Sequence, residues 1–126
     1  MLRTNIYVLK LKRGKYYVGK SSNITKRYEQ HVNGVGATWT KIYKPIKIIK
    51  KRMNVSPFEE DKVTKEYMYK YGIDNVRGGS YANVKLSNFH IDALNMEMWS
   101  VNDLCNICGK SGHFAKHCPL RRGPLV

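Results

Sequence analysis

Two short stretches near the N-terminus have the residue types that favour strands, and a polar triplet separates them. Residues 5–11 (NIYVLKL) and 16–20 (YYVGK) are rich in β-branched and aromatic side chains. The triplet between them ends in Gly14, which can adopt the left-handed conformation that a three-residue hairpin loop requires. The pattern therefore predicts a β-hairpin in which Leu11 lies opposite Lys15.

The apolar spacing then changes to the three- and four-residue steps that are typical of helices. Ser22 or Asn23 suits the cap of a helix over residues 24–32, and the pair 33–34 (NG) suits its end. The positions of this helix that are predicted to face inward are Ile24, Tyr28 and Val32.

Two further helices are predicted in the second half of the chain. Residues 56–59 (SPFE) have the form of a capping box with proline at the first helical position. The helix that they open is expected to run to about Tyr71 and to end at Gly72. A last helix is predicted from a Ser87 cap to about Trp99. Its apolar positions are Ile91, Leu94 and Met98.

The remaining segments complete a small α/β fold. A third strand is predicted over 46–52, whereas 34–45 and 73–85 show neither periodicity and are predicted to be loops. The order of elements predicts a three-stranded, mainly antiparallel sheet that is flanked by helices. The chain would then consist of a compact domain over 1–85, a helix and linker over 86–104, a metal-binding segment over 105–118 and a basic tail over 119–126.

Positive charge is concentrated at the two ends of the chain, which has 126 residues and a formal net charge of +14. Residues 1–54 contain 14 Lys and Arg but one acidic residue, and residues 105–126 contain four and none. The segment 55–104 contains five basic and eight acidic residues. Two basic regions on either side of a mildly acidic one indicate a polyanionic partner, most simply nucleic acid.

The strongest single motif is the C-terminal run 105–118, CNICGKSGHFAKHC, in which three cysteines and a histidine have Cys-x2-Cys-x4-His-x4-Cys spacing. Thiolates and a neutral imidazole at this spacing suit a closed tetrahedral zinc site, and the pattern is that of a zinc knuckle. So short a segment cannot bury a core, so we expect zinc to supply its folding energy. The predicted zinc ligands are Cys105, Cys108, His113 and Cys118.

The same cysteines indicate the compartment. All three lie in the zinc motif, so none is left to form a disulfide, which suits a reducing environment. The first residues lead into a strand-like pattern with charges and not into an apolar signal core, and no apolar run approaches the roughly 20 residues that span a bilayer. We expect an intracellular protein without a membrane partner.

A second group of polar residues is predicted to converge on the hairpin and the first helix. With a three-residue loop, Tyr7 and Tyr17 lie on the same face of the sheet, because strand side chains alternate. Arg27 and His31 are four residues apart and so share one face of the helix. Two phenols, a guanidinium and an imidazole on one patch could orient a phosphodiester and stabilise the charge that it gains during cleavage.

These residues resemble the GIY-YIG nuclease family. The triplet 5–7 (NIY) stands where the family has Gly-Ile-Tyr, 17–19 (YVG) stands where it has Tyr-Ile-Gly, and Arg27 corresponds to its helix arginine. The resemblance extends to about residue 83, and the stretch 60–79 looks like that of GIY-YIG proteins from large DNA viruses. It implies a GIY-YIG-like fold and cleavage of one DNA strand with one divalent metal, usually magnesium or manganese, held by a glutamate on the second helix.

The resemblance also implies roles for the side chains. Tyr7 or Tyr17 would help to deprotonate the attacking water, and Arg27 would stabilise the pentavalent phosphate, with His31 beside them. For the metal glutamate, two candidates remain. Glu60 projects along the middle of the face that Val63, Tyr67 and Tyr71 mark as buried, so it is favoured. Glu66 is off that axis but nearer the middle of the helix, where the family usually keeps its glutamate.

The sequence thus predicts a metal-dependent, structure-selective DNA endonuclease whose zinc knuckle engages single-stranded regions. The alternative is a nucleic-acid-binding protein without catalysis on a degenerate GIY-YIG scaffold. Phosphate contacts are expected from Lys20, Lys26, Lys41, Lys44 and the basic run 47–52. Trp39 is equally compatible with stacking on a base and with packing in the core.

Overall fold

The computed structural model of the chain describes residues 2–101 and 111. The chain divides into two compact units, Met1–Lys85 and Leu86–Val126. The first unit contains the sheet and three helices, and the second contains the last helix. The predicted zinc ligands, Cys105, Cys108, His113 and Cys118, lie outside the described residues.

The predicted hairpin is confirmed. Strand β1 (Thr4–Leu11) pairs antiparallel with β2 (Tyr16–Ser21), and the backbone N–H of Leu11 donates to the carbonyl of Lys15 at 2.8 Å. Gly14 has the expected positive φ of 71°, and Arg13 before it has a φ of 64°. The three-residue loop therefore sets the register that the sequence predicted.

The sheet itself differs from the prediction. Strand β3 (Pro45–Val55) pairs antiparallel with β1, and a fourth strand, β4 (Val76–Gly78), pairs parallel with β2. The strand order is β3-β1-β2-β4, so the prediction of a three-stranded antiparallel sheet was wrong and the sheet is mixed. Because β4 has only three residues inside an Asn- and Gly-rich segment, it is too short to show the alternation by which a strand is found in a sequence.

The first helix is confirmed and a second, unpredicted one follows it. Helix α1 (Ile24–Val32) is capped by Asn23, whose side chain accepts a hydrogen bond from the N–H of Lys26. Helix α2 (Thr38–Ile42) lies inside the segment that was predicted to be a loop. It has five residues, which is fewer than two turns, so no helical period can appear in it.

Helix α3 (Glu59–Tyr71) ends where it was predicted to end, at Gly72, but the capping box at its start does not form. The hydroxyl of Ser56 accepts a hydrogen bond from the N–H of Phe58, and not from that of Glu59. Glu59 instead forms an ion pair with Arg52 of β3, with 3.2 Å between Nη1 and Oε2. A strand cation thus competes successfully for the carboxylate that a capping box would use.

One buried cluster of the first unit lies on the face of the sheet that carries the odd-numbered residues of β1, while Ile6 and Val8 are buried on the other face. Tyr7, Leu9 and Leu11 belong to this cluster together with Tyr17 of β2 and Ile24 of α1. Trp39 joins this cluster, and its Nε1 donates a hydrogen bond to the carbonyl of Tyr16 at 2.9 Å. Trp39 is therefore a core residue and not a base-stacking one.

The second unit contains α4 (Asn88–Val101), whose predicted cap is confirmed, because the Ser87 hydroxyl accepts a hydrogen bond from the N–H of His90 at 3.1 Å. Of its predicted apolar positions, Leu94 is fully buried, and Ile91 and Met98 are partly buried. Within the described part of the chain, no helix has both the length and the apolar character needed to cross a bilayer.

Candidate active site

Tyr7 and Tyr17 lie on the same face of the sheet, as the hairpin register requires. Tyr7 is opposite Gly19 and Leu9 is opposite Tyr17, so the two tyrosines are diagonal neighbours on adjacent strands. Their ring centroids are 6.4 Å apart. A Cβ on Gly19 would fall on the hydroxyl of Tyr7, so the glycine of the second motif makes room for the tyrosine of the first.

His31 completes this cluster. Its side chain is fully buried, although the residues next to it on α1 are more exposed. Its Nε2 is 2.8 Å from the hydroxyl of Tyr7, and its ring centroid is 5.0 Å from that of Tyr17. The imidazole is fully buried, whereas Val32, which was predicted to face inward, is 45% exposed. The inner side of α1 is thus marked by Ile24 and His31, two turns apart, and the prediction for Val32 was wrong.

Burial and one neighbouring cation determine the protonation of His31. Burial in the core disfavours the imidazolium, the positive charge of Arg27 adds to this effect, and together they lower the pKa of His31 to about 4. At neutral pH the ring is therefore uncharged and has one N–H and one acceptor nitrogen.

Arg27 lies one turn before His31 on α1 and is half-buried. Its Nη1 donates to the Oε1 of Gln30 at 2.8 Å, which holds the guanidinium along the helix. Burial raises the pKa of both Tyr7 and Tyr17, and the positive charge of Arg27 opposes that rise at each phenol. Arg27 is therefore electrostatically coupled to both tyrosines, as the predicted patch requires.

Glu60, in the first turn of α3, is the carboxylate that belongs to this cluster. Its side chain is 14% exposed, and one oxygen is 3.7 Å from the Nζ of Lys20. Burial raises the pKa of Glu60 even though Lys20 opposes the rise, which is consistent with a long ion pair to a half-exposed lysine. The negative charge of Glu60 in turn raises the pKa of Tyr17 and, as a smaller contribution, that of Tyr7.

Glu66 is placed differently. Its side chain is 45% exposed and forms an ion pair with Arg52 of β3, with 3.6 Å between Nη2 and Oε2. The tyrosine whose pKa responds to its charge is Tyr67, and neither Tyr7 nor Tyr17 does. The structure therefore brings Glu60, and not Glu66, close enough for its charge to act on Tyr7 and Tyr17.

Asp61, the residue after Glu60, is engaged in a loop contact. It accepts hydrogen bonds from the N–H and the hydroxyl of Ser80, at 2.8 and 2.7 Å. The carboxylate fixes the turn that follows β4, so it is not a free ligand beside Glu60.

Two residues behind His31 were missed by the sequence analysis. The hydroxyl of Thr40 is 2.9 Å from His31 Nδ1, and a Cβ on Gly36 would fall on the same nitrogen. Both lie in the segment that was predicted to be a loop, and neither has a neighbour in sequence that suggests a contact with α1. The only signal for them was the Gly- and Thr-rich composition of residues 34–40, which also describes ordinary turns.

A divalent cation at this site would depend on few protein ligands. Among residues 2–101 and 111, no group of three or more Asp, Glu, His or Cys side chains is arranged to hold a metal. Magnesium is usually bound by one or two carboxylates together with waters and substrate phosphates. A half-buried Glu60 fits that mode of binding, whereas a metal cage made of protein ligands alone does not fit.

The sequence also matches a known family of protein domains. The model of the GIY-YIG catalytic domain matches residues 3–71, which is more than half of the chain. The chain belongs to the GIY-YIG family. The match includes both tyrosine motifs, Arg27, His31 and both candidate glutamates.

Several curated proteins are similar to the chain over part of its length. A UPF0213 protein of Staphylococcus saprophyticus is 42% identical over 48 residues, which is 38% of this chain and 58% of that protein. A putative GIY-YIG domain-containing protein of Invertebrate iridescent virus 6 is 41% identical over 44 residues, 35% of this chain and 44% of that protein. The chain thus spans about half the length of these two relatives.

A longer alignment links the chain to a UPF0213 protein of Halalkalibacterium halodurans, which is 28% identical over 90 residues, 65% of this chain and 94% of that protein. No solved structure gives a significant match to the chain.

Proposed function

We propose that the protein is a metal-dependent DNA endonuclease of the GIY-YIG type. The observation that carries this proposal is the convergence of two phenols, a guanidinium, a neutral imidazole and a half-buried carboxylate at one end of the hairpin. Tyr7 and Tyr17 are 6.4 Å apart, Tyr7 is hydrogen-bonded to His31, and Arg27 and Glu60 are electrostatically coupled to both phenols. Strongly perturbed groups that cluster in this way are typical of catalytic sites.

Each side chain has a chemical task in this proposal. Arg27 stabilises the negative charge that the phosphate gains as water attacks, because a guanidinium can donate two hydrogen bonds to phosphate oxygens. Tyr17 is 8% exposed and Tyr7 is 1% exposed, so Tyr17 is the phenol that more readily meets the attacking water. Tyr7 supports it from inside and is oriented by His31.

Glu60 is the proposed metal residue. A magnesium or manganese ion that it held would polarise a phosphate oxygen and lower the pKa of a bound water. Lys20 shares the carboxylate at 3.7 Å and is half exposed, so it can move away without losing a strong contact.

The substrate is proposed to be DNA with a branch, flap or nick. The unit that carries the site has about 85 residues and offers little surface for reading a long sequence. The 14 basic residues before position 55 supply contacts to the backbone, which are indifferent to sequence. Recognition of shape therefore suits this protein better than recognition of a sequence.

A zinc knuckle formed by Cys105, Cys108, His113 and Cys118 is proposed to engage single-stranded regions. Its support is the ligand spacing alone. Elemental analysis should find one zinc per chain, and C118S should lose it, because structural zinc needs four ligands. A zinc-free protein, or full retention of zinc by C118S, would contradict this part of the proposal.

The burial of Tyr7 favours a second candidate, a binding protein without catalysis. A phenol that is 1% exposed cannot reach a solvent water without movement of its surroundings. If the site stays closed on DNA, the basic surface would bind nucleic acid and leave it intact.

One experiment separates the two candidates. The purified full chain is incubated with labelled linear, nicked, flap and four-way-junction DNA, with magnesium, with manganese or with a chelator. Metal-dependent cleavage, strongest on the branched substrates, is expected. Binding without cleavage of any substrate with either metal would replace the nuclease by the binding protein.

A further inference from the structure

The hydroxyl of Thr40 lies between His31 and the backbone in the core of the first unit. Its oxygen is 2.8 Å from the carbonyl oxygen of Ala37 and 2.9 Å from His31 Nδ1. Both Thr40 and His31 are fully buried, so water does not offer either side chain another partner. The proposed chemistry gives Thr40 no task, yet it touches the ring that holds Tyr7.

The protons in this chain of contacts can be counted. A hydroxyl has one proton to donate and two lone pairs that accept, whereas a carbonyl oxygen only accepts. The proton of Thr40 therefore points to the Ala37 carbonyl, and its oxygen is left to accept from His31. It follows that Nδ1 carries the single proton of the neutral ring.

Nε2 must then be the acceptor nitrogen of His31. It is 2.8 Å from the hydroxyl of Tyr7, so Tyr7 donates its proton to His31. The oxygen lone pairs of Tyr7 are therefore directed away from the imidazole.

A competing contact would impose the opposite arrangement. The backbone N–H of Ala37 is 3.4 Å from His31 Nδ1, and it could donate to that nitrogen only if the nitrogen had no proton. This contact is 0.5 Å longer than the one to Thr40, and hydrogen bonds weaken as they lengthen. Without the Thr40 hydroxyl, the Ala37 amide would be the remaining polar neighbour of Nδ1, and the proton would move to Nε2.

We propose that Thr40 is a positioning residue that fixes the tautomer of His31 with the proton on Nδ1, and thereby fixes the direction of the hydrogen bond from Tyr7. The consequence for cleavage rests on the proposed nuclease function, in which Tyr7 supports Tyr17 from inside. The tautomer itself does not depend on that function. Gly36 leaves room for the ring in this position, because a Cβ there would fall on Nδ1 and displace it from Thr40.

The tautomer can be measured directly in the full chain with ¹⁵N-labelled histidine. Protonated and unprotonated ring nitrogens have well-separated ¹⁵N shifts, and the signal of His31 is assigned by its absence from H31Q. Near pH 7, wild-type protein should show a protonated Nδ1 and an unprotonated Nε2. T40S should keep this pattern, because serine retains the hydroxyl, and T40V should lose it in favour of a protonated Nε2.

T38V is the matched control, since Thr38 is on the same short helix but exposed. It should leave the His31 signals unchanged. A protonated Nε2 in wild-type protein, or a T40V spectrum that equals the wild-type one, would overturn the proposal. If T40V does not fold, the wild-type and T40S spectra still test the proposal, because both should show the proton on Nδ1.

Cleavage provides the second measurement. T40V should lower kcat by at least about tenfold with little change in KM, since it alters a proton and removes no contact with DNA, and T40S should restore most of the rate. If wild-type protein cleaves no substrate, the proposed nuclease function is contradicted, but the measured tautomer of His31 remains valid. If the protein cleaves DNA but His31 carries its proton on Nε2, only the proposed role of Thr40 is contradicted.

Discussion

The two sides of the candidate site are held together by different forces. On the side of α1 and α2, Tyr7, His31 and Thr40 form a buried, uncharged chain with hydrogen bonds of 2.8 and 2.9 Å. On the side of α3, Glu60 is held by a 3.7 Å ion pair to a half-exposed lysine. Buried hydrogen bonds fix direction, whereas a long, partly solvated ion pair contributes little and constrains little.

The difference suggests that the two sides of the site have different roles. The rigid side presents oriented phenols to the substrate, and the looser side keeps a carboxylate that can exchange Lys20 for another cation. Lys20 pairs with Glu60 and Arg52 pairs with Glu66, and of these two carboxylates of α3 only that of Glu60 raises the pKa of Tyr7 and Tyr17. Substitutions that act on one side alone can test whether the two sides have these separate roles.

The largest effect is expected at Glu60. E60Q keeps the size of the side chain but removes the charge that would hold a metal, so cleavage should fall below detection. DNA binding should persist or tighten, because a negative charge near a polyanion is lost. Since burial raises the pKa of Glu60, its ionised fraction and the cleavage rate should decrease as the pH falls through that pKa.

E66Q is the matched control for E60Q, because it makes the same chemical change on the same helix. Glu66 pairs with Arg52 and is 45% exposed, so its loss should leave most of the cleavage rate intact. Gel assays of cleavage and binding on one flap substrate test both variants. Inactive E66Q beside active E60Q would assign the metal to the other glutamate.

The next effect concerns the rigid side. Y17F and R27A should each lower the cleavage rate by at least about a hundredfold, the scale expected when a proton-transferring or charge-stabilising group is lost. Y17F should bind DNA almost as wild type does, since only a hydroxyl is removed. R27A should also bind more weakly, because its guanidinium can contact the ground-state phosphate.

Y69F is a control for Y17F that removes a hydroxyl from an exposed tyrosine of α3. Single-turnover rates, which isolate the chemical step, should be unaffected by it. Y17F with the wild-type single-turnover rate would leave Tyr7 as the only phenol with a role in the chemistry.

A smaller effect, on the pH dependence of the free energy of unfolding, is expected from His31. Its pKa is lowered to about 4 in the folded state from an ordinary value of 6.5, so the unfolded chain binds the proton more tightly. Its contribution to stability is therefore intact above about pH 6.5 and lost as the pH falls towards 4. The loss should reach about 3 kcal/mol, at about 1.4 kcal/mol per tenfold difference in proton affinity.

Urea unfolding at several pH values measures this contribution. H31Q should flatten the decline of the free energy of unfolding between pH 6.5 and 4, although it lowers stability at neutral pH by losing the Tyr7 and Thr40 hydrogen bonds. H90Q on α4 controls for the loss of one imidazole. An equal decline in wild type and H31Q would show that the buried imidazole does not resist protonation.

Local rules were enough to predict the hairpin, the helix that follows it and the C-terminal end of α3. The loop length determines the register, and the register places Tyr7 and Tyr17 on one face of the sheet. The cap at Asn23 and the end at Gly72 followed from the same kind of short-range chemistry. Because GIY-YIG motifs lie on these elements, the phenols, Arg27 and His31 could be proposed from the sequence.

What the sequence did not reveal depends on contacts between distant segments. Arg52 takes Glu59 away from the predicted capping box, and β4 forms because β2 offers it an edge. His31 is buried in place of the apolar Val32 because Tyr7 and Thr40 satisfy both of its nitrogens. No period or motif encodes such partners, so a buried histidine on a polar helix appears as a surface residue until its partners are known.

The smallest effect should distinguish two neighbouring lysines of β3. Lys51 is paired with Tyr7 in the register of the sheet and so lies on the same face, while Lys50 is paired with Val8 on the opposite face. If DNA passes over the tyrosines, K51A should weaken binding severalfold and lower the slope of log affinity against log salt by nearly one, as expected for one lost phosphate contact. K50A removes the same charge one position away and should change both quantities less. Fluorescence anisotropy over about 50 to 200 mM salt resolves such slopes, and equal effects of K51A and K50A would show that the DNA does not favour the face of the sheet that carries the site.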